Sequence, residues 1–227
     1  MTLAELHAIL EARTSVRAFR PEPLPRARLD ALFAAAQRAA SWCNIQPWRV
    51  VVTEPARTDA LRAALLAAAR TSIPAPELPF PLDYPEPYQQ HRRACAGALY
   101  GAMGLARDDK AARYDAWLRN FALFDAPHVA IVAVDPRLGP YALVDVGVWL
   151  GTLLAACAVD GVAACSMASA VTYPAVVRAQ LAIPAEHRPR FAKAAEQVEM
   201  LLGLVEPPFR APVKGPLSPI RLVNVKL

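Results

Sequence analysis

Glycine is scarce in this chain: 9 residues of 227, against 22 prolines. An average chain carries about 7% glycine and about 5% proline, so the usual order is inverted. A phosphate-cradling loop needs glycines packed into a short turn. None of the nine forms G-x-G-x-x-G, and no Gly-Lys-Ser/Thr occurs. Any phosphate bound here must therefore meet side-chain cations or a helix N-terminus. Histidine is also sparse. His7, His91, His128 and His187 lie far apart, with no H-E-x-x-H, which argues against a zinc protease. No G-x-S-x-G occurs, which argues against a nucleophile elbow. Cys43, Cys95, Cys157 and Cys165 form no C-x-x-C. The first 13 residues lack the apolar core of a signal peptide. The expectation is reduced thiols, no metal and a cytoplasmic protein. The longest uncharged helical stretch, Val146 to Val159, is short for a membrane span, so no membrane partner is expected.

Apolar residues make up 55% of the chain and charged residues 20%, enough for a real core and too apolar for disorder. The length suits one domain over residues 1–227. The net charge is +5, and only four of the 25 basic residues are lysine. The charge is scattered rather than run together. It fits an anionic small molecule, and no nucleic-acid partner is expected.

Along the chain, Thr2-x-x-Glu5 reads as a capping box opening a helix to about Arg13. Pro25 suits a first helical position, and helical spacing continues to about Ala40. Pro47 to Thr53 reads as a buried strand, followed by a helix from Pro55 to about Arg70. Six prolines between Thr71 and Pro87 exclude regular helix there, and predict an extended surface excursion. Helices are expected over Tyr88–Met103 and Asp108–Phe121, then a strand over Ala126–Val134. Tyr141–Val159 is apolar all round and reads as the central helix. A strand over Val162–Met167, a helix over Tyr173–Leu181 and a strand over Val198–Val205 follow. Glu206 to Leu227 reads as a proline-rich tail whose last residues alternate like an edge strand. Helices with dispersed strands, rather than a regular βαβα alternation, indicate the α+β class.

Four segments carry candidate chemistry. Arg13-Thr14-Ser15-Val16-Arg17-Ala18-Phe19 puts two arginines and two hydroxyls just after a helix. Arginine forks bind phosphate strongly and selectively, although arginine at a helix end also complements the dipole. Ser41-Trp42-Cys43-Asn44-Ile45-Gln46-Pro47-Trp48 mixes hydroxyl, amide and indole groups. These can read a flat heterocycle, or simply form an Asx-turn beside core aromatics. Cys165-Ser166-Met167-Ala168-Ser169 ends a strand with small residues. They allow backbone N–H groups close to a ligand, or tight helix–strand packing. Arg210 and Lys214 are cations in the tail, where solvation alone can explain them.

Taken in this order and spacing, the four segments resemble the FMN-dependent nitroreductase family. The matching motifs are R-x-S-x-R-x-F at Arg13–Phe19 and the alanine-to-tryptophan segment at Ala40–Trp48. A strand-end turn at Ser166-Met167-Ala168-Ser169 and the tail motif Lys214-Gly215-Pro216-Leu217 complete the set. Tyr84–Tyr88, Arg92-Arg93, Leu99-Tyr100-Gly101 and Arg119-Asn120-Phe121 are similar to the branch with nitrobenzoate and nitroaromatic reductases.

The resemblance implies an α+β homodimer: a small mixed sheet flanked by helices, with the tail swapped onto the partner subunit. It implies FMN at the subunit interface and NADH or NADPH as reductant. Arg13, Thr14, Ser15 and Lys214 would hold the phosphate, with Arg17 near flavin N1 and O2. Ser41, Trp42 and Asn44 would reach the ring from the partner subunit, with Gln46 close by. Met167, Ala168 and Ser169 would form the turn whose backbone faces N5, the hydride-transfer atom. Ala168-Ser169 stands where the family usually has Gly-Gly or Glu-Gly, so this turn requires φ angles that Ala and Ser adopt. Trp42, Tyr88, Phe121 and Phe124 are candidate walls for a flat acceptor such as a nitroarene or quinone. No catalytic side chain is expected, because the flavin carries the chemistry. Two other readings stand beside this one: an FMN-dependent dehydrogenase or oxidase in a biosynthetic pathway, and a flavin-free dimeric binding module.

Overall fold

The computed structural model describes residues 1–181 and the backbone of 197–205. The elements, in chain order, are α1 (Leu3–Ala12), α2 (Arg26–Ala36), β1 (Arg49–Val52), α3 (Pro55–Thr71), α4 (Tyr88–Ala102) and α5 (Lys110–Phe121). Then come β2 (His128–Val134), α6 (Tyr141–Val159), β3 (Ala163–Met167), α7 (Pro174–Gln180) and β4 (Gln197–Val205). The capping box at Thr2 and Glu5 is formed, with both reciprocal hydrogen bonds present. Pro25 is the cap before α2 rather than its first residue, and α2 ends at Ala36, four residues short of the expectation. Lys214 and the 206–227 tail lie outside the described residues.

The four strands form one sheet in the order β1-β2-β4-β3, each neighbouring pair antiparallel. Ser15 adds a single parallel bridge to Ala164 of β3, so both senses occur. Strand β2 is buried at every position. Its alternation shows why. Ala130, Val132 and Val134 face a core with Leu29 and Leu32 of α2 and Trp149 and Leu153 of α6. Val129 and Ile131 face the opposite core, with Leu61 and Leu65 of α3, Leu118 of α5 and Val177 of α7. A strand covered on both faces loses the polar alternation of a half-solvated one. Strand β1 differs from the expected buried strand. It holds the sheet edge, pairs with β2, and is only half-buried at Val50 and Val51.

His128 has a structural task. Its Nε2 accepts the Leu24 N–H at 3.1 Å and its Nδ1 faces the Thr53 carbonyl at 2.9 Å. An acceptor at Nε2 assigns the proton to Nδ1, and both nitrogens are spent on backbone. The proline-rich stretch after α3 is pinned at its start rather than hanging free. Ala75 N–H donates to Thr172 O at 2.9 Å, and Arg178 pairs with Glu77.

Helix α6 is central, as expected, but its own chain covers only one side of it. One side carries Ala142, Val146, Trp149, Leu153 and Cys157 into the core. The other leaves Tyr141 70%, Val144 62%, Val148 45% and Val159 65% exposed. Between them, Gly147 and Gly151 look onto open space. Length and hydropathy alone would let this helix cross a membrane. Its packed face and the buried Asp145 place it in a globular core instead.

Candidate active site

The segment after α1 runs beside β3. Val16 N–H donates to Ala164 O at 3.2 Å, in register with the Ser15 bridge. This lays Arg13, Thr14, Ser15 and Arg17 along the strand that ends in Met167. Arg17 Nη1 donates to Ser15 O at 3.3 Å, and its side chain remains largely exposed. Burial pushes the Cys165 thiol up, while the charges of Arg17 and Arg13 pull it back down. Both guanidinium charges are therefore felt at β3. Two cations carried by one short segment beside a strand suit an anion.

Beyond Met167, the turn adopts a conformation open to its side chains. Ser169 has φ −59° and ψ −43°. Neither it nor Ala168 has a positive φ, so glycine is not required here. Ser169 Oγ donates to Asn120 Oδ1 at 3.3 Å, tying the turn to α5.

Asn120 also lines a cavity of about 260 Å³ bounded by the 14–18 segment, α4 and α5. Its walls include Arg17, Leu99, Tyr100, Met103, Trp117 and Phe124. Phe124 was expected among the walls from the sequence; Met103 and Trp117 were not. Their signal was there: Leu99 and Met103 are one helical turn apart, as are Trp117 and Asn120. Phe121, by contrast, belongs to the core against Tyr173. Tyr88 is exposed at the start of α4, away from the cavity lining.

Phe124 is held by an unusual turn. Leu123, Phe124 and Asp125 have φ of 56°, 51° and 68°. Left-handed backbone costs roughly 1–2 kcal/mol at residues with a Cβ. Arg62 braces both ends, donating to Ala122 O at 2.9 Å and Ala126 O at 2.7 Å. Such strain persists where surrounding contacts over-determine it, often at functional sites.

The Ser41–Gln46 segment forms a second strained turn. Cys43, Asn44 and Gln46 have φ of 47°, 55° and 47°. Ser41 Oγ accepts Gln46 N–H at 3.0 Å, and Gln46 Nε2 donates to Asn44 Oδ1 at 3.2 Å. Asp145 Oδ1 accepts Trp42 N–H at 3.1 Å, and the Trp42 ring lies 5.8 Å from that of Tyr141. The turn is thus fastened to the start of α6, with Trp42, Asn44 and Gln46 exposed. It does not join the first cluster within this chain. Arg13 and Thr14 instead line a groove against Leu154, Ala158 and Gly161, at the far end of α6. Asp145 and Ala158 are separated by about 20 Å at 1.5 Å rise per residue.

The sequence profile of the nitroreductase family matches residues 10–194. This chain belongs to the nitroreductase family. Among its relatives in this family, a 4-nitrobenzoate reductase from Nocardioides is 35% identical over 184 residues, 78% of this chain and 74% of that protein. Nitroreductase NfnB of Mycolicibacterium smegmatis is 32% identical over 176 residues, 77% of this chain and 75% of that one. Two solved nitroreductases share the fold. The FMN- and NADPH-dependent NfnB from Sphigopyxis superposes with a TM-score of 0.83 at 30% identity, covering 97% of this chain and 96% of that one. The FMN-dependent NfnB from Mycobacterium smegmatis, in complex with NADPH, gives 0.82 at 28% identity, covering 90% and 89%.

Within this nitroreductase the cysteines divide cleanly. Cys43 and Cys95 are exposed, while Cys157 and Cys165 are buried. Burial pushes the Cys157 thiol up to about 12. Thiolate, not thiol, reacts with alkylating reagents. We expect two thiols to titrate in the native protein at pH 8 and four after denaturation. Rapid native reaction of a third thiol would contradict the burial of Cys157 and Cys165.

Proposed function

We propose that this chain is an FMN-dependent NAD(P)H oxidoreductase that reduces flat, electron-poor aromatics such as nitroarenes or quinones, and that it works as a homodimer. The observation that carries the reading is the run of the 13–17 segment beside β3, with Arg17 lining a cavity walled by Tyr100, Trp117 and Phe124. Cations and a hydroxyl suit the phosphate, and aromatic walls suit a planar ring. FMN, when bound, supplies hydride transfer at N5. The protein's part is to bind and orient. Arg13, Thr14 and Ser15 hold the phosphate, and Lys214 joins them from the tail. Arg17 sets a positive charge where a reduced ring gathers negative charge. The turn Met167-Ala168-Ser169 presents backbone to N5. Ser41, Trp42 and Asn44 close the ring from the partner, with Gln46 bracing their turn.

The dimer reading is supported by the placement of the two halves at opposite ends of α6. A two-fold axis perpendicular to α6 lays a second copy antiparallel along its exposed face. It brings the start of one α6, with its 41–46 turn, to the end of the other. An exposed apolar face of this length is otherwise uncommon on a soluble monomer. The 206–227 tail is assigned to the partner's surface in the same arrangement. The cytoplasm suits a chain whose four thiols are free, two of them exposed.

The test is a flavin spectrum followed by steady-state turnover. We expect a yellow protein that oxidises NADH or NADPH with nitrobenzene or benzoquinone as acceptor. Retained FMN with no oxidation of either nucleotide would move the protein to the dehydrogenase reading. A colourless protein that stays colourless after FMN soaking would leave only the binding-module reading.

A further inference from the structure

A second cleft opens beside the aromatic cavity. Arg92 and Arg93 of α4, Arg107 of the following turn and Arg113 of α5 line it together. Its volume is about 690 Å³, and none of its lining residues is acidic. Arginine side chains gathered in one place repel one another, and an anion between them relieves that repulsion. Two of them are held over aromatic rings. The Arg113 guanidinium lies 4.0 Å above the centre of the Tyr100 ring, and that of Arg92 lies 5.5 Å from the Tyr84 ring. A stacked guanidinium keeps its N–H edges free to donate. Arg93 meets Glu86 at 3.6 Å, with both side chains well exposed, which makes that pair weak. Asp109 follows Arg107 closely in sequence, but its carboxylate caps α5 by accepting Ala112 N–H at 2.9 Å.

The floor of the cleft is also open. Gly97 and Gly101 sit one helical turn apart in α4, and a Cβ at either would meet nothing within 4 Å. Glycine inside a helix is destabilising, and here two of them leave space between the arginines.

Tyr100 lines both this cleft and the aromatic cavity. A ligand can therefore lay a flat ring in one and an anionic end in the other, crossing Tyr100. Four arginines exceed what one carboxylate can engage. A phosphate monoester dianion, as a dinucleotide carries on its ribose, matches them better in charge.

We propose that the cleft formed by Arg92, Arg93, Arg107 and Arg113 binds the adenosine 2′-phosphate of NADPH and makes this protein select NADPH over NADH. The inference rests on the oxidoreductase reading above. It names the group that chooses the reductant, at a place away from the flavin contacts.

The test has a binding arm and a kinetic arm. In the first, 2′-AMP and 5′-AMP are titrated calorimetrically into the FMN-loaded protein. Wild type should bind 2′-AMP at least tenfold more tightly, and Arg107→Ala and Arg93→Ala/Arg107→Ala should remove that preference. In the second, these variants should raise KM for NADPH roughly 10- to 100-fold, the effect of losing one or two charge-assisted phosphate contacts. The kcat with NADPH, and both constants with NADH, should stay within twofold. Equal loss for both nucleotides would place the pyrophosphate in the cleft and overturn the proposal. A rise in KM for 4-nitrobenzoate but not nitrobenzene would assign the cleft to acceptor carboxylates and overturn it too. Indifference of wild type to the 2′-phosphate in the binding arm overturns it even if NADH turnover is normal. Failure of the oxidoreductase reading looks different: neither nucleotide is oxidised, while the 2′-AMP preference still reports on the cleft.

Discussion

Mixing an Arg13→Ala/Arg17→Ala chain with a Ser41→Ala/Trp42→Ala chain should restore turnover that neither variant shows as a homodimer. The reason is geometric. Arg13 lines the groove at the end of α6, Arg17 follows it along β3, and Trp42 hangs on Asp145 near the start of α6. If each flavin site takes one half from each subunit, a mixed dimer holds one site with both defects and one with none. Random re-association makes half of the dimers mixed, so recovery should approach about a quarter of wild-type activity. If both halves served a site within one chain, every site in the mixture would keep a defect and nothing would recover. The same arrangement makes Val148→Asp a severe change. Val148 is 45% exposed on the bare α6 face, and in the dimer it would bury an unpaired carboxylate at a cost of several kcal/mol. Light scattering should report monomers, and the flavin absorbance should be lost with the dimer. A Val148→Asp protein that stays dimeric and yellow would remove α6 from the interface.

The second large effect is on FMN affinity. Arg13→Ala should weaken FMN about 10- to 100-fold, since a hydrogen bond to a charged group is worth about 1.5–3 kcal/mol. Riboflavin, which lacks the phosphate, should bind the variant as it binds wild type. Arg17→Ala should weaken both ligands, because its assigned contact is the ring. It should also lower the flavin reduction potential, by removing a cation from the side of the ring that gains negative charge. Fluorescence titration with the two ligands separates these roles without any turnover. Equal losses of FMN and riboflavin on Arg13→Ala would take Arg13 off the phosphate.

Much of the site was legible because its groups are close in sequence. The 13–17 cluster is read in one glance, and so is the 41–48 segment. What escaped was the strain in both turns. Leu123, Phe124 and Asp125 take left-handed backbone, although leucine and phenylalanine give no local sign of it. Arg62, some sixty residues away, supplies the brace. The same holds at Cys43 and Gln46, where Asp145 of α6 ties down the turn through Trp42. Long-range contacts override local preference there. The concern raised by Ala168-Ser169 had the opposite outcome. The turn is right-handed at Ser169, so the lost glycines cost nothing in backbone freedom.

The scarcity of glycine and the arginine-rich segment after α1 were enough to direct phosphate recognition to side chains. Apolar periodicity was enough for the α+β class and for most element positions, because burial imposes period 2 or 3.6 on the residues themselves. Three things needed the tertiary structure. The first is that α6 is only half covered, since a helix that is apolar all round cannot say which side its own chain reaches. The second is that the two segments proposed for the flavin stand at opposite ends of that helix. The third is the meeting of Arg92, Arg93, Arg107 and Arg113 across one cleft. In the sequence these are dispersed charges. Only the return of the chain that sets Arg113 of α5 over Tyr100 of α4 turns them into a field that one anion can feel.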